Sequence, residues 1–284
     1  MKYPKISIVT PSFNQAEFLE QTICSVLDQN YPNLEYVIID GGSTDGSVEI
    51  IKKYADKFTY WQSEKDDGQY DAINKGFSHT TGDIMGWINS SDIYYPWTFN
   101  IIAEIFENNN GVDWISGMPT NLSKGIAPQS IHYANERNIY DIICGKYKWI
   151  QQESVFWKRN LWNKAGGKLN TNIRYAGDFN LWLGFFNHSQ LYYLNTILGG
   201  FRYHDVRRGL DVNGSYETEA EVLFKKFKSQ LSFKIKLRAF MIKIFIGNNS
   251  LLKKIFKRLK IFAWYQHCNI YYDYNTNNWL VRIR

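Results

Sequence analysis

The sequence predicts an α/β fold in which helices cover a mostly parallel sheet. Apolar runs of strand length alternate with segments of helical period through residues 5–100. Three of these runs end in polar residues, namely Thr10, Asp40 and the group at 89–92. Because the carboxyl ends of parallel strands line one crevice, these polar groups predict a nucleotide-type binding site at that edge of the sheet.

The first half of the chain reads as repeated strand and helix units joined by right-handed crossovers. Residues 6–9 predict the first strand, and Asn14 with Glu17 has the capping-box form that starts a helix. The units that follow are predicted as strand 36–39, helix 44–54, strand 58–62, helix 69–78, strand 84–88 and helix 96–106.

The second half of the chain is less regular. A strand is predicted at 112–118, and residues 119–149 have no strong period, so we expect a loop-rich insertion that shapes an acceptor pocket. A helix at 178–186 and strands at 191–194 and 198–203 complete this half.

The predicted domain organisation has two parts. Residues 1–215 form the α/β domain, with a nucleotide-binding half at 1–110 and an acceptor half at 111–215. Residues 216–284 form a basic, helical C-terminal region. A chain of 284 residues with 44% hydrophobic and 21% charged residues is long enough to bury one sizeable core beside such a smaller unit.

The three cysteines, Cys24, Cys144 and Cys268, are odd in number and far apart in sequence. They fit a reducing compartment better than a disulfide framework, and their spacing matches no metal site. The segment after Met1 enters the first predicted strand without the apolar stretch of a signal peptide. We therefore expect a cytoplasmic protein.

The net charge of +6 is concentrated in the C-terminal region. Residues 222–264 contain twelve Lys or Arg and no Asp or Glu, so the rest of the chain carries −6. Lysines interrupt every apolar run there, and none approaches the roughly twenty residues that a spanning helix needs. This basic amphipathic pattern predicts a peripheral protein on the anionic inner face of the membrane. Two helices packed on the first domain are one alternative, and a nucleic-acid surface, which we do not expect, is another.

Four blocks of sequence carry a resemblance to a known family. In chain order they are SIVTPSFNQ at 7–15, EYVIIDGGSTDG at 35–46, DGQYDAINKG at 67–76 and TGDIMGWINSSD at 81–92. Their content and order resemble the opening of family 2 glycosyltransferases. The resemblance is dense to about residue 100, thins from 150 to 205 and is absent from the C-terminal region.

This resemblance implies a GT-A fold, which is a nucleotide-binding α/β sandwich. It also implies an inverting enzyme that moves a hexosyl or N-acetylhexosaminyl group from a nucleotide-sugar donor, UDP-linked, to a glycan or polyprenyl-linked acceptor. The expected process is the assembly of bacterial surface polysaccharide or O-antigen, and a homodimer is compatible with it. A non-catalytic homologue that binds a sugar nucleotide or a glycan is the alternative function.

The resemblance places a divalent metal, Mn²⁺ or Mg²⁺, at Asp92, with His204 completing the site. Such a cation stabilises the charge that builds on the departing nucleoside diphosphate, and hard cations prefer oxygen ligands. The family often has two acids here, whereas this chain has Ser91 before Asp92. A helix-capping Asp92 is the alternative, and the single acid is the best reason to consider a non-catalytic homologue.

For the donor, Asp40 is expected to accept the imide hydrogen of a uracil-type base, with Thr10 beside it. Ordinary turn chemistry before Gly41 and Gly42 is the alternative for Asp40, and Asp45 is expected to stabilise the start of its own helix. The resemblance also assigns the following residues to donor binding: Pro11, Asn14, Gly68, Gln69, Asp71, Asn74, Lys75, Asn89, Ser90, Ser91 and Arg207.

An inverting transfer needs a base that removes the proton of the attacking hydroxyl. Asp178, at the start of a predicted helix, resembles the acidic motif that serves this purpose in the family, and the helix dipole would keep it ionised. A plain N-cap aspartate is the alternative. Gln152, Ser154 and Trp182 are expected to line the acceptor or sugar pocket, although a buried strand is an equal interpretation for the first two.

Overall fold

The structure is a computed structural model that describes residues 3–123, 125–133, 136–145, 150–203, 215–245 and 264–283. The predicted site residues His204 and Arg207 lie outside these ranges. The described strands are β1 (Ile6–Ser12), β2 (Leu34–Asp40), β3 (Tyr60–Ser63), β4 (Ile84–Trp87), β5 (Ile93–Tyr94), β6 (Trp114–Ser116), β7 (Thr120–Leu122), β8 (Pro128–Ile131), β9 (Val155–Lys158), β10 (Tyr192–Leu194), β11 (Gly199–Arg202), β12 (Cys268–Asp273) and β13 (Asn278–Ile283). The described helices are α1 (Ala16–Leu27), α2 (Ser47–Lys53), α3 (Gln69–Ser78), α4 (Thr98–Asn108), α5 (Ile139–Ile143), α6 (Arg159–Lys164), α7 (Gly177–Phe186), α8 (Ser215–Gln230) and α9 (Phe233–Phe245).

Two sheets organise the described residues. The main sheet has nine strands in the order β13-β12-β10-β6-β9-β4-β1-β2-β3, and a smaller sheet has the order β5-β11-β7-β8. In the main sheet β1, β2, β3 and β4 are parallel neighbours, while β9 runs antiparallel to β4 and β6. The predicted α/β fold with a mostly parallel sheet is therefore confirmed.

The predicted polar strand ends lie along one edge of the main sheet. The register pairs Ser12 of β1 with Asp40 of β2, and Asp40 with Ser63 of β3. On the other side of β1, Val9 pairs with Trp87, the last residue of β4. The loops that follow β1, β2 and β4 therefore begin side by side, which is the arrangement that the strand order predicts.

The core forms on both faces of the main sheet because successive strand residues point to opposite sides. Val37 and Ile39 belong to one apolar cluster, and Ile38 belongs to the other. In the first cluster the indole of Trp182, 1% exposed, stacks on Trp87 with ring centroids 5.8 Å apart. The prediction that Trp182 lines a sugar pocket is wrong, because its ring fills the space between α7 and the sheet.

The first helix begins later than the capping-box pattern predicts. Asn14 has a φ of 50° and its side-chain oxygen accepts a hydrogen bond from the N–H of Thr44, so it does not cap α1. The first N–H of α1, on Ala16, donates instead to Asp45 at 2.9 Å. Asp45 also accepts hydrogen bonds from Ser47, at the start of α2, so one carboxylate stabilises two helix starts.

The region 119–149 contains more regular structure than its sequence predicts. Strands β7 and β8 pair with each other in the smaller sheet, and β7 also pairs with β11. The helix α5 follows them, with Asn138 as its N-cap. Strands of three or four residues are too short to show a period in sequence, which is why this region was expected to consist of loops.

The C-terminal region is only partly helical. Its helices α8 and α9 bury Ala220, Phe227, Ala239 and Ile242 in the first core cluster. Residues 268–283 form the strands β12 and β13, and β12 pairs in parallel with β10 of the main sheet. The prediction of a helical region to the end of the chain is wrong for these strands, because pairing with a distant strand leaves little local signal. Within the described residues, no helix combines the length and the apolar character needed to cross a bilayer.

Candidate active site

Asp40 holds the turn that follows β2. Its carboxylate is fully buried and accepts hydrogen bonds from the N–H groups of Gly42 and Ser43 and from the hydroxyls of Ser43 and Ser63. These bonds are 2.6 to 3.1 Å long. The geometry is that of the turn chemistry left open as the alternative for Asp40. Asp40 thus shapes the loop at the strand edge.

The residues at the end of β1 are mostly buried or bonded to neighbouring turns. Thr10 is buried and its hydroxyl lies 3.1 Å from the hydroxyl of Tyr36, so it faces the interior. Pro11 is also buried, whereas Asn14 is partly exposed and tied to the neighbouring turn through Ser43 and Thr44.

Phe13, beside these residues, is 53% exposed although it is aromatic. Sequence reasoning missed it, and its only signal is an apolar residue in an otherwise polar turn. An exposed ring at a strand edge is suited to stack on a flat ligand such as a nucleobase.

The turn before α3 comes close to the turn that Asp40 holds. A Cβ on Gly41 would lie 2.9 Å from Oδ2 of Asp66, so a larger residue at position 41 would require the Asp66 carboxylate to shift. Asp66 in turn accepts a hydrogen bond from the N–H of Gly68 at 2.8 Å. Gly68 has φ 108° and ψ −179°, a conformation that is essentially restricted to glycine. The turn after β2 therefore lies against the turn that leads into α3.

Gln69, Asn89 and Asp92 form a connected hydrogen-bond chain. The amide of Gln69 donates to Asn89 at 2.6 Å, and the amide of Asn89 donates to Oδ2 of Asp92 at 3.2 Å. The other oxygen of Asp92, Oδ1, accepts from the N–H of Arg202 at 2.9 Å. Three of the predicted donor and metal residues are thus brought together, and Asp92 is held at its position from both sides.

Arg202 is a buried residue of this site that sequence reasoning missed. Its guanidinium donates to the carbonyl oxygens of Ser91 and Gly125 and to the side chain of Gln21, at 2.6 to 2.9 Å. An arginine that is 1% exposed must have its donors satisfied, and here they fix the loop that carries Asp92. Its sequence signal is weak, because nothing around it distinguishes it from an ordinary strand residue.

The remaining predicted donor residues on α3 have structural partners. Asp71 forms an ion pair with Lys75 at 2.7 Å, one helical turn apart. Asn74 donates to the carbonyl of Leu169 and accepts from its N–H, at 2.9 and 2.8 Å. Ser90 is buried and Ser91 partly exposed in the loop before Asp92.

Glu153 is a second buried carboxyl in the vicinity of Asp92. It is 1% exposed, and its Oε1 has no hydrogen-bond partner among the described residues. Burial, and next the negative charge of Asp92, raise the pKa of Glu153 well above its ordinary value. Sequence reasoning missed this residue, whose signal is weak because its immediate neighbours, Gln152 and Ser154, are also polar.

The predicted pocket residues on either side of Glu153 are buried. Gln152 donates its side-chain amide to the carbonyl of Trp87, at the end of β4. The hydroxyl of Ser154 lies 3.4 Å from the carbonyl of Gly199. These contacts tie the 3-10 turn before β9 to β4 and β11, so Gln152 and Ser154 are buried but precede the strand.

Asp178 is the second residue of α7 and remains partly exposed. Ala176 is the N-cap, so the alternative of an N-cap aspartate does not hold. Burial raises the pKa of Asp178 to about 6, against the hydrogen bonds from the N–H groups of Phe179 and Asp178 and from the Tyr216 hydroxyl, which lower it. Desolvation outweighs the effect of the helix start on the pKa, but a carboxyl with a pKa of about 6 is still mostly ionised at neutral pH. A carboxyl that titrates near pH 6 is matched to the work of a general base at neutral pH.

The oxygen atoms present fit a hard divalent cation only in part. Asp92 supplies a carboxylate and Glu153 an orphaned oxygen, and both are oxygen ligands of the kind that Mn²⁺ and Mg²⁺ accept. In the part of the chain that the structure describes, no group of three or more His, Cys, Asp or Glu side chains could hold a metal ion. The predicted ligand His204 lies outside that part.

Sequence comparisons identify relatives of the chain. The model for glycosyl transferase family 2 matches residues 7–189. An uncharacterised glycosyltransferase of Rickettsia typhi is 26% identical over 238 residues, which cover 81% of this chain and 73% of that protein. An uncharacterised glycosyltransferase of Mycobacterium tuberculosis is 42% identical over 90 residues, or 31% of this chain. That match spans 34% of the mycobacterial protein, about a third of its length.

Solved structures share the fold. The structure of S. aureus TarS 1–349 in complex with UDP-GlcNAc has a TM-score of 0.65 at 15% identity, covering 92% of this chain and 76% of that one. A mannosyltransferase from Pyrobaculum calidifontis, in complex with GDP-Man and Mn²⁺, has a TM-score of 0.57 at 16% identity, covering 93% and 81%. These similarities confirm the GT-A fold. Because the family model spans well over half of the chain, the protein belongs to glycosyl transferase family 2.

Proposed function

We propose that this glycosyltransferase is an inverting enzyme that moves a hexosyl or N-acetylhexosaminyl group from a UDP-linked donor. The observation that carries the proposal is Asp178, a partly exposed carboxyl at a helix start with a pKa raised to about 6. In its ionised form Asp178 takes the proton of the acceptor hydroxyl as that oxygen attacks the anomeric carbon. Attack from the face opposite the leaving diphosphate inverts the configuration.

The donor would lie along the carboxyl edge of β1, β2 and β4. The exposed ring of Phe13 stacks on the nucleobase of the donor. The loop that Asp40 holds contains two glycines, which let the nucleobase come close to the backbone. Asn89, Ser90 and Ser91 are proposed to bind the phosphates near Asp92, and Arg207, which lies outside the described residues, remains a proposed phosphate ligand. The UDP-GlcNAc and UDP that TarS binds support a uridine donor for this chain.

The residues that would hold a Mn²⁺ or Mg²⁺ ion are Asp92 and His204. When bound, such an ion neutralises the charge that develops on the leaving diphosphate. The Arg202 N–H and the Asn89 amide both donate to the Asp92 carboxylate and fix its position, which supports this proposed role. The Mn²⁺ in the Pyrobaculum calidifontis mannosyltransferase supports a cation of this class.

The acceptor is proposed to be a glycan or polyprenyl-linked sugar of bacterial surface polysaccharide or O-antigen assembly, reached at the inner face of the membrane. An apolar ridge on α9, formed by Phe233, Leu237, Phe240 and Ile244, supports this location. These four side chains are 44 to 79% exposed and recur at intervals of three or four residues, so they share one face of the helix. Because α9 is also rich in lysine, the ridge suits an anionic lipid surface.

The test is transfer activity with UDP-sugars, comparing the wild type with Asp178→Asn. We expect the wild type to transfer or hydrolyse a UDP-sugar and the variant to lose about 10³-fold in kcat, with binding of UDP unchanged. Equal turnover by both proteins would refute Asp178 as the base. Binding of UDP-sugar by both proteins with no turnover by either would indicate the non-catalytic homologue that Ser91 suggests.

A further inference from the structure

The helix α8 contacts the loop that carries Asp178 through Glu219. The Glu219 carboxylate accepts hydrogen bonds from three consecutive backbone N–H groups, those of Arg174, Tyr175 and Ala176. The three distances are 2.9, 2.7 and 2.7 Å. The N–H groups before a helix have no partner within the helix, and a carboxylate that accepts several of them fixes the chain there. Glu219 therefore clamps the segment that leads into α7.

Tyr216 lies three residues before Glu219 and contacts Asp178 itself. Its hydroxyl forms a hydrogen bond with the Asp178 carboxylate. Burial, and next the charge of Asp178, raise the pKa of Tyr216 well above its ordinary value, so the hydroxyl keeps its proton and acts as the donor. Residues three apart share a helix face, so both side chains reach the same loop.

The opposite side of this loop is held by Tyr70 of α3. Its hydroxyl donates to the carbonyl of Tyr175 at 2.7 Å and accepts from the N–H of Gly177 at 2.8 Å. A Cβ on Gly177 would lie 2.5 Å from the Tyr70 ring, so the helix start packs directly on that ring. The loop is thus fixed between the donor half of the domain and α8.

The helix α8 is itself anchored in the core. Ala220 and Phe227 on the same side of the helix are 3% and 6% exposed and belong to the core cluster that contains Phe179 of α7. This burial makes α8 a fixed support for its two polar side chains. Nothing in the basic composition of this region predicts such a contact.

We propose that Tyr216 and Glu219 are positioning residues for the general base Asp178, so that a helix of the basic C-terminal region completes the active site. The inference depends on the proposed role of Asp178 as base. Tyr216 orients one carboxylate oxygen of Asp178, and Glu219 holds the backbone from which that side chain extends. The rotamer of Asp178 is then fixed before the acceptor hydroxyl arrives.

The groups around Asp178 set its pKa, so changing one of them should shift the pH at which Asp178 is protonated. The hydrogen bond from Tyr216 lowers the pKa of Asp178, while the negative charge of Glu219 raises it. Besides burial, the negative charge of Asp178 also acts on two neighbouring groups, the buried Glu153 just before β9 and Tyr70 of α3, and raises the pKa of each. Loss of the Tyr216 hydroxyl therefore raises the pKa of Asp178, and a base with a raised pKa is ionised only at higher pH.

The first experiment compares Tyr216→Phe with Tyr265→Phe, a matched control whose hydroxyl bonds to Asp141 instead. The pKa of Asp178 is measured by carboxyl-carbon NMR, and kcat is measured from pH 5 to 9. For Tyr216→Phe we expect the pKa and the acidic limb of the kcat profile to rise together by about half a unit or more, with the KM for donor unchanged. An Asp178 pKa that does not move, or moves equally in the control, would overturn the inference.

The second experiment compares Glu219→Ala with Glu221→Ala, because Glu221 is an exposed acid on the same helix, paired with Lys225. Amide hydrogen exchange at 174–176 reports the clamp without reference to activity. We expect exchange there to accelerate about tenfold or more in Glu219→Ala alone, with kcat reduced. Unchanged exchange would refute the clamp, and Glu219→Gln, which keeps an acceptor oxygen, should restore part of the protection.

These measurements separate the two proposals. If Asp178→Asn retains full activity, the proposed base is wrong, whatever Tyr216 and Glu219 do. If Asp178→Asn is inactive but the Tyr216 and Glu219 variants give the same NMR and exchange results as their controls, Asp178 is the base and the positioning role is refuted.

Discussion

The carboxyl edge of β1, β2 and β4 and the C-terminal region at 215–283 relate to their sequences in opposite ways. At the edge, the polar residues follow strands that are close in sequence, and the register places Ser12 beside Asp40. In the C-terminal region, the contacts join residues far apart in sequence, such as Glu219 with Arg174 and Ile270 of β12 with Leu194 of β10. Composition marks the region as basic and amphipathic, but it does not reveal that the inner faces of α8 and β12 belong to the core.

The largest expected effect concerns the edge. Asp92→Asn should reduce kcat by about 10²- to 10³-fold, because the site loses the charge that would hold a cation against the diphosphate. The measurement is steady-state transfer with Mn²⁺, alongside thermal unfolding. Asp56→Asn, an exposed acid on the same half of the chain, serves as control. Normal activity in Asp92→Asn would mean that the edge resembles its family in sequence only.

The next effect tests whether the C-terminal strands belong to the core. Ile270 is 0% exposed in β12, whereas Ile283 is 57% exposed at the end of β13. Ile270→Ala should lower the free energy of unfolding by about 2–4 kcal/mol, because it leaves a cavity between sheet and helix. Ile283→Ala should change it by less than about 0.5 kcal/mol. Both variants are compared by urea denaturation. Equal effects would show that β12 and β13 do not contribute to the core.

A third prediction concerns the opposite edge of the same parallel strands. Burial would raise the pKa of Glu35, but hydrogen bonds from Thr81, Ser7 and Gly82 outweigh it and lower the pKa to about 2. Because the folded pKa lies below the unfolded one, the ionised carboxylate stabilises the fold above about pH 4.5 and loses this effect as the pH falls towards 2.

Glu35→Gln should therefore cost about 2 kcal/mol at pH 7. The difference from wild type should shrink steadily between about pH 4.5 and 2, as followed by urea denaturation at each pH. A constant difference across that range would show that the pKa of Glu35 is not depressed in the folded protein.

The smallest effect concerns the apolar ridge of α9. Phe240 is 60% exposed there, and Tyr274, in the turn between β12 and β13, is 84% exposed. Phe240→Ser should weaken binding to anionic vesicles about fivefold to tenfold, because one ring no longer inserts among the lipids. Tyr274→Ser should leave binding unchanged. If both variants bind as the wild type does, as judged by vesicle sedimentation at low and moderate salt, the ridge is not the membrane contact.

Much of the first domain could be predicted from local pattern. Helix α3 has the predicted bounds, and the strands at the edge lie where apolar runs meet polar residues. The capping box at Asn14 failed because a residue from another turn, Asp45, bonds to the first amide of α1. Asp40 and Asn74 belong to the family motifs, but their side chains form hydrogen bonds within the protein. Only the tertiary structure reveals these partners.

Arg202, Glu153, Tyr216 and Glu219 could not be found from pattern. Each is a polar residue in an ordinary strand or helix setting, and its role comes from a partner that is distant in sequence. Trp182 shows the reverse error, because the resemblance suggested a pocket wall whereas packing makes the residue part of the core. Residue type alone does not distinguish these cases.

The sequence by itself determined the α/β class, the order of the edge motifs and the family. These features depend on strand and helix periods and on short motifs, which involve only residues that are close in sequence. The tertiary structure decided which carboxyl is desolvated, which hydrogen bonds hold Asp92 and Asp178, and where the C-terminal region packs. Burial and pairing between distant segments set these properties, and both arise only when the chain has folded.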